Sequence, residues 1–255
     1  MNTIILRSAS GALYVLLFIG TVLSPYSILF QFFIGALTVL SAYELARMQS
    51  KSIPWAIVTA VVTLAAGTLI LPPLLTGFFG AILALIALLC FKSSFKIPRF
   101  MWMYSLVYMA LGISSFYGVY ATGQWLCFAM LVVLWTNDTL AYAVGSLIGK
   151  TKITTISPKK SLEGYIGGLI FSLVASFLLN RNLDLGLTAI QSVILGAVIS
   201  ITADFGDLLI SKLKRMYDFK DSGRLIPGHG GIMDRIDSLI FAMPFIYLFL
   251  HVLHL

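Results

Sequence analysis

Charge is scarce in this chain. Aspartate, glutamate, lysine and arginine make up 11% of its 255 residues, against about 25% in ordinary soluble domains. Cysteine is scarcer still. Cys90 and Cys127 are the only two, and both sit in apolar runs, so they read as core residues and not as a disulfide or metal pair. Of the three histidines, His229 has no cysteine or second histidine nearby and His251 and His254 stand at the far C-terminal end, so a zinc centre is not expected. The first half of the chain carries almost no ionisable residue inside its apolar stretches beyond Glu44. No repeat, low-complexity tract or soluble linker interrupts the sequence. These absences exclude a disulfide-stapled module, a solenoid and a large soluble domain.

What is abundant is apolar. Hydrophobic residues make up 59% of the chain and the mean hydropathy is +0.98. A membrane-spanning helix needs about 20 mostly apolar residues. Nine stretches qualify, allowing for tilt: Ala9–Leu23, Ile28–Ala46, Ile53–Leu71, Gly77–Phe91, Met101–Tyr120, Trp125–Ile148, Tyr165–Leu179, Leu187–Ile210 and Ser238–Leu255. A lipid-exposed backbone must satisfy its own hydrogen bonds, and no period-two alternation suggests a barrel, so the spans are expected to be helices. The expected fold is an all-α, polytopic membrane protein with a single membrane-embedded domain over residues 1–255. Residues 1–124 would be scaffold helices, and residues 125–255 the catalytic helices and cytoplasmic loops. The N-terminal MNTIILR runs into apolar sequence without a small-residue cleavage signal, which suits a retained first span.

With the N-terminus cytoplasmic and nine spans, sixteen of the seventeen cations fall on one side and only Arg181 on the other. That is the positive-inside pattern, and it puts the C-terminus opposite the cytoplasm. It also accounts for the net charge of +7 without nucleic acid. The outer connections are too short to hold a domain, so function is expected in the membrane or at its cytoplasmic face.

Three polar segments break the apolar pattern. Asn137 and Asp138, with Tyr142 one turn later, lie inside the sixth span. A carboxylate there costs roughly 2.5–3.5 kcal/mol on insertion scales, so Asp138 marks either a site or a hydrogen bond to a neighbouring helix. The following loop reads Ser157-Pro158-Lys159-Lys160-Ser161-Leu162-Glu163-Gly164. Ser157 as N-cap and Pro158 in the first turn would start a helix there. Its free N–H groups and two lysines would suit an anion, unless they are only the basic flank of a span. In the eighth span Asp204, Asp207, Ser211 and Lys214 share one helix face, within an arc of about 80°. Lys214 could neutralise the two carboxylates, or a divalent cation could.

The longest polar run joins the eighth and ninth spans, from Ser211 to Asp237. It carries Lys212, Lys214, Arg215, Lys220, Arg224 and Arg235 against Asp218, Asp221, Asp234 and Asp237. Gly228, Gly230 and Gly231 allow backbone N–H groups to face an anion. His229 reads first as a phosphate donor, with acid–base and metal roles open. Two aspartate pairs at the ends of adjacent helices suit Mg²⁺, which takes hard oxygen ligands and commonly shares them with substrate phosphates.

In full, Ser211-x-Leu-Lys-Arg-x4-Lys-Asp-x-Gly-x2-Ile-Pro-x-His-Gly-Gly-Ile-x-Asp-Arg-Ile-Asp237 resembles the signature of the phosphatidate cytidylyltransferase (CDP-diacylglycerol synthase) family, with no departure at its fixed positions. The Asp138–Tyr142 segment and the Ser-Pro-Lys-Lys-Ser-x-Glu-Gly loop also resemble that family, with Ser161 where threonine is common. The resemblance implies an integral membrane enzyme that makes CDP-diacylglycerol and pyrophosphate from CTP and phosphatidic acid, and the short, single-domain form suits a bacterial inner membrane. It implies Mg²⁺ on Asp207, Asp234 and Asp237, with Ser211 and Lys214 assisting. It further implies a second, monovalent cation such as K⁺, and a homodimer. Asp138, Lys159, Lys160, Ser161, Arg215, Lys220, Arg224, His229, Gly230, Gly231 and Arg235 are the expected phosphate and substrate contacts. The rivals are a cytidylyltransferase for another lipid phosphate, a CTP-dependent lipid kinase and, from a different class, an ion or anion transporter. A CDP-alcohol phosphotransferase is disfavoured because no Asp-Gly-x2-Ala-Arg run occurs.

Overall fold

A computed structural model describes residues 3–71, 73–90, 101–154, 157–158, 160–223, 225–226 and 230–254. Those residues form nine α-helices: α1 (Thr3–Val22), α2 (Ser27–Met48), α3 (Ile53–Ala65, continued by a π turn over Ala66–Ile70), α4 (Pro73–Cys90), α5 (Met101–Thr122), α6 (Gln124–Ile148), α7 (Leu162–Leu183), α8 (Ala189–Met216) and α9 (Met233–Val252). Among the described residues there is no strand, only isolated bridges between Lys152 and Ser161 and between Ile226 and Gly230. Within the described residues, every apolar stretch singled out in the sequence is helical over most of its length. The last three run further into polar sequence than hydropathy alone suggests. Backbone hydrogen bonding continues past the apolar limit, and α8 carries Ser211 and Lys214 on its last turns.

Six of these elements are long and apolar enough to cross a membrane: α2, α3 with its π turn, α6, α7, α8 and α9. The chain is an integral membrane protein on that ground. The side-chain pattern of α7 fits a lipid environment. Ile166, Ile170, Val174 and Leu178 recur every fourth residue on its exposed face. Gly164, Gly168, Ser172 and Ser176 are buried on the opposite face. In lipid, burying apolar surface gives little drive, so helices associate through small residues and interhelical hydrogen bonds.

One helix start differs from expectation. The loop over Ser157 and Pro158 is a turn closed by the Lys160 N–H donating to the Ser157 carbonyl at 3.0 Å. Helix α7 begins four residues later than the Ser157 cap would require. Its N-cap is Ser161, whose hydroxyl accepts from the Gly164 N–H at 3.2 Å. Glu163 then accepts from the Lys150 and Thr151 N–H groups at 3.1 Å, binding the loop back onto the helix that follows it. The bridge between Lys152 and Ser161 and the Thr151 carbonyl accepting from the Leu162 N–H at 2.9 Å hold Ser161 at the helix start.

Close backbone approach sets where α8 meets α9. A methyl group added at Gly206 would lie 2.6 Å from Phe241 Cβ and 2.8 Å from the Asp237 carbonyl oxygen. Gly20, by contrast, has nothing within 4 Å. Gly206→Ala should therefore cost about 1–3 kcal/mol by overpacking. Gly20→Ala should be neutral or stabilising, by up to about 1 kcal/mol from helix propensity. Thermal unfolding of both variants in detergent checks the contrast.

Candidate functional site

Helices α6, α7 and α8 are held together by a polar seam. Asn137 is fully buried. Its amide donates to Asp204 Oδ1 at 3.1 Å, and its oxygen accepts from the Ser200 hydroxyl at 2.6 Å and the Ser172 hydroxyl at 3.4 Å. Further along, the Ser176 hydroxyl donates to the Ser192 carbonyl at 2.6 Å. The interhelical bond that Asp138 might have made is thus made by its neighbour, and Asp138 opens onto a cavity instead.

That cavity, of about 410 Å³, is walled by the C-terminal halves of α6 and α8, the first turns of α7 and α9, and the α6–α7 and α8–α9 loops. Six carboxylates face it: Asp138, Asp204, Asp207, Asp221, Asp234 and Asp237. Three cations answer them: Lys160, Lys214 and Arg235. Lys160 pairs with Asp207 at 2.5 Å, and Lys214 with Asp234 at 2.5 Å. Lys214 therefore neutralises neither Asp204 nor Asp207. Ser211 donates to Asp207 Oδ1 at 3.1 Å and orients it from outside the cavity wall. The Lys160 ammonium also sits 5.5 Å from the centre of the Tyr165 ring. Burial works against its charge, but Asp207 and Tyr165 outweigh burial and lift its pKa above the usual lysine value. Lys160 is held as a cation in the wall of an acidic cavity.

The polar run between α8 and α9 is folded back on itself. Asp234 Oδ2 accepts from the Ser222 N–H at 2.9 Å and the Gly231 N–H at 3.0 Å, while Oδ1 takes Lys214. Behind it stands Glu44 of α2, only 2% exposed. Glu44 accepts from the Ser222 hydroxyl at 2.9 Å and from the Ile232 and Met233 N–H groups at 3.0 Å. Sequence reasoning missed Glu44 as a site neighbour. The signal available was that it is the only acidic residue before Asp138.

The predicted contacts divide. Asp138, Lys160, Ser161, Asp207, Lys214, Asp234, Arg235 and Asp237 line the one cavity. Gly230 has φ +89 and lies beside Asp234, and Gly231 bonds to it. Arg215 does not reach the cavity; it donates to the Phe219 carbonyl at 3.2 Å. Lys220 stands at a separate opening of about 590 Å³ with Arg47, Asp218 and Phe219. Lys159, Arg224 and His229 lie outside the described residues. A smaller apolar groove of about 190 Å³ adjoins the cavity. It shares Tyr165 and Asp204 with the cavity and is otherwise walled mainly by Ile166, Leu169, Ile201, Phe205 and Leu208.

A family model described as the cytidylyltransferase family matches residues 5–253. The chain belongs to that family. Among similar proteins, the phosphatidate cytidylyltransferase of Staphylococcus haemolyticus (strain JCSC1435) is 41% identical over 148 residues, which cover 57% of this chain and 56% of that protein. The phosphatidate cytidylyltransferase of Bacillus subtilis (strain 168) is 44% identical over 124 residues, covering 48% of this chain and 46% of that protein. The chain thus aligns with about half the length of these curated relatives.

Whether a family member's cavity of this composition suits a divalent ion can be judged from its donors. Among the described residues, no three Asp, Glu, His or Cys side chains are gathered closely enough to hold an ion by themselves. The donors present are carboxylate oxygens, and they outnumber the cations two to one. Mg²⁺ is commonly bound through one or two carboxylates, with waters and substrate phosphates completing the shell. The cavity fits that mode and does not fit an all-protein cage.

The seam that positions the carboxylates gives a direct test. Asn137→Ala strands the Ser200 hydroxyl and removes a donor from Asp204, an expected loss of about 1–3 kcal/mol. Ser146→Ala, which removes only an exposed hydroxyl bonded to its own helix, should change little. Unfolding midpoints of the two variants in one detergent check this.

Proposed function

We propose that this chain is a phosphatidate cytidylyltransferase, transferring CMP from CTP to phosphatidic acid to give CDP-diacylglycerol and pyrophosphate. The observation that carries the reading is one cavity with six carboxylates and two lysine–carboxylate pairs, set at the ends of apolar helices beside an apolar groove. The names borne by similar family members support the same chemistry.

The reaction needs little covalent chemistry from the protein. A phosphate oxygen of phosphatidic acid attacks the α-phosphorus of CTP. The bond from that phosphorus to the bridging oxygen breaks, and pyrophosphate leaves with the electron pair. Positioning and charge neutralisation supply the rate. Lys160 and Lys214, paired with aspartates at rest, would turn to phosphate oxygens when substrate enters, and Arg235 would add a third cation. The phosphatidate oxygen is already ionised near neutral pH, so no general base is required. Mg²⁺ would be held by one or two of Asp207, Asp234 and Asp237, with substrate phosphates completing its shell, and would offset the charge of the nucleotide phosphates and of the departing pyrophosphate. The apolar groove beside Tyr165 would take the start of an acyl chain, leaving the phosphate in the polar cavity.

A lipid and a soluble nucleotide can meet only where spans reach water. The arrangement we favour has all nine helices crossing, the N-terminus and the cavity on the cytoplasmic side of a bacterial inner membrane, and the C-terminus opposite. It is favoured because that topology keeps Arg47, Lys51, Lys150, Lys152, Lys160 and Lys212 on one side. The gathering of charge at one end of the bundle also favours catalysis over transport, which would need a polar path on the far side as well.

Purified protein in detergent, given labelled CTP, phosphatidic acid and Mg²⁺, should move label into the lipid phase. No CDP-lipid under any divalent ion would sink the proposal. Asp207→Asn should lower kcat by about 10²-fold or more, the scale of losing one electrostatic stabiliser, while leaving the unfolding midpoint within a few degrees.

A further inference from the structure

We propose that Glu44 is a positioning residue for the cavity, a cap supplied by α2 to the N-terminus of α9 that fixes where Asp234 stands. The first N–H groups of a helix have no partner within it and are normally met by a side chain just upstream. Helix α9 has no such local cap. Its N-terminal donors, the Ile232 and Met233 N–H groups, point instead at the two oxygens of Glu44, from a residue 188 and 189 positions earlier in the chain. A carboxylate is also the group that the positive end of the helix dipole favours.

The same carboxylate grips the loop. Ser222 gives its hydroxyl to Glu44 and its N–H to Asp234. Gly231 gives its N–H to Asp234 while packing against Glu44. Both carboxylates thus hold Ser222, Glu44 through its hydroxyl and Asp234 through its N–H, and the one on α9 carries Lys214. Space at this point is fully used. A methyl group on Gly223 would come 2.4 Å from Glu44 Oε1, and one on Gly231 would come 2.5 Å from Oε2. Asp234, Arg235 and Asp237 all lie on the first turns of the helix so capped. Their placement in the cavity therefore depends on a residue in the first half of the chain that does not itself line it. Glu44 touches no substrate in this arrangement and acts through α9.

The role in catalysis rests on the cytidylyl-transfer reading; the cap does not, and the experiment separates the two. In the full-length protein in detergent, amide hydrogen exchange at Ile232 and Met233 should rise at least about tenfold in Glu44→Ala. Amides at the start of α8, capped by its own Thr188, should be unchanged. In the transfer assay, Glu44→Gln and Glu44→Ala should lower kcat by about 10²-fold, as a misplaced group near 1 Å does. KM for CTP should stay within about threefold, since the loss falls on the transition state. Glu44→Asp should recover part of the rate.

Gly223→Ala guards against misfolding of the Glu44 variants. It should reproduce the loss in the native background, yet add less than about twofold in Glu44→Ala, because the carboxylate it strikes is gone. A merely structural glutamate would lower the unfolding temperature and leave kcat of the folded fraction untouched. Retention of kcat within about twofold in both Glu44→Gln and Glu44→Ala would overturn the positioning role. Unchanged exchange at Ile232 and Met233 in Glu44→Ala would overturn the cap, whatever the protein catalyses. If native protein makes no CDP-lipid but exchange rises as expected, the cap stands and the assigned reaction fails.

Discussion

Asp234 accepts from two loop amides with one oxygen and from Lys214 with the other. Through it the end of α8, the intervening loop and the first turn of α9 become one body. A carboxylate at the end of an apolar bundle cannot be left without donors, because desolvation of an unpaired charge costs several kcal/mol. Three other acidic side chains meet that demand: Asp204 with Asn137, Asp207 with Lys160 and Ser211, Glu44 with α9 and Ser222. The cavity takes its shape from these obligations.

The same pairs explain how an acidic wall can receive a polyanion. In the proposed reaction, lysines that neutralise aspartates at rest would turn to the phosphates that enter, and carboxylates released from lysine would become available to a divalent cation. That exchange would offset part of the charge that substrate and cation bring. It asks for little backbone movement, since the seam of Asn137, Ser172 and Ser200 keeps α6, α7 and α8 in register.

Much of this was legible in the sequence, for a definite reason. Apolar stretches in lipid have no choice but helix, so the nine helices and most of their limits followed from hydropathy. Aspartates three apart on one helix must share a face, so Asp204 with Asp207, and Asp234 with Asp237, were gathered correctly. Helix starts were harder. Ser157 and Ser161 are equally good caps on paper, and the bridge between Lys152 and Ser161 chose the second. Partner choice was harder still. Lys214 shares a face with Asp207 yet pairs with Asp234, because the returning loop brings α9 closer than its own helix does. Arg215, one residue on, is turned by the helical period toward Phe219 and away from the cavity.

The sequence alone therefore determined that this is a helical membrane protein whose carboxylates gather in its last four helices and the polar loop between the final two. Local periodicity and the cost of burying charge suffice for that. Only tertiary structure decided which lysine serves which aspartate, that Asn137 and not Asp138 ties the helices, and that Glu44 caps a helix 188 residues away. Those contacts join elements distant in the chain. Their energies depend on where the loops bring the helix ends together, which no residue spacing encodes.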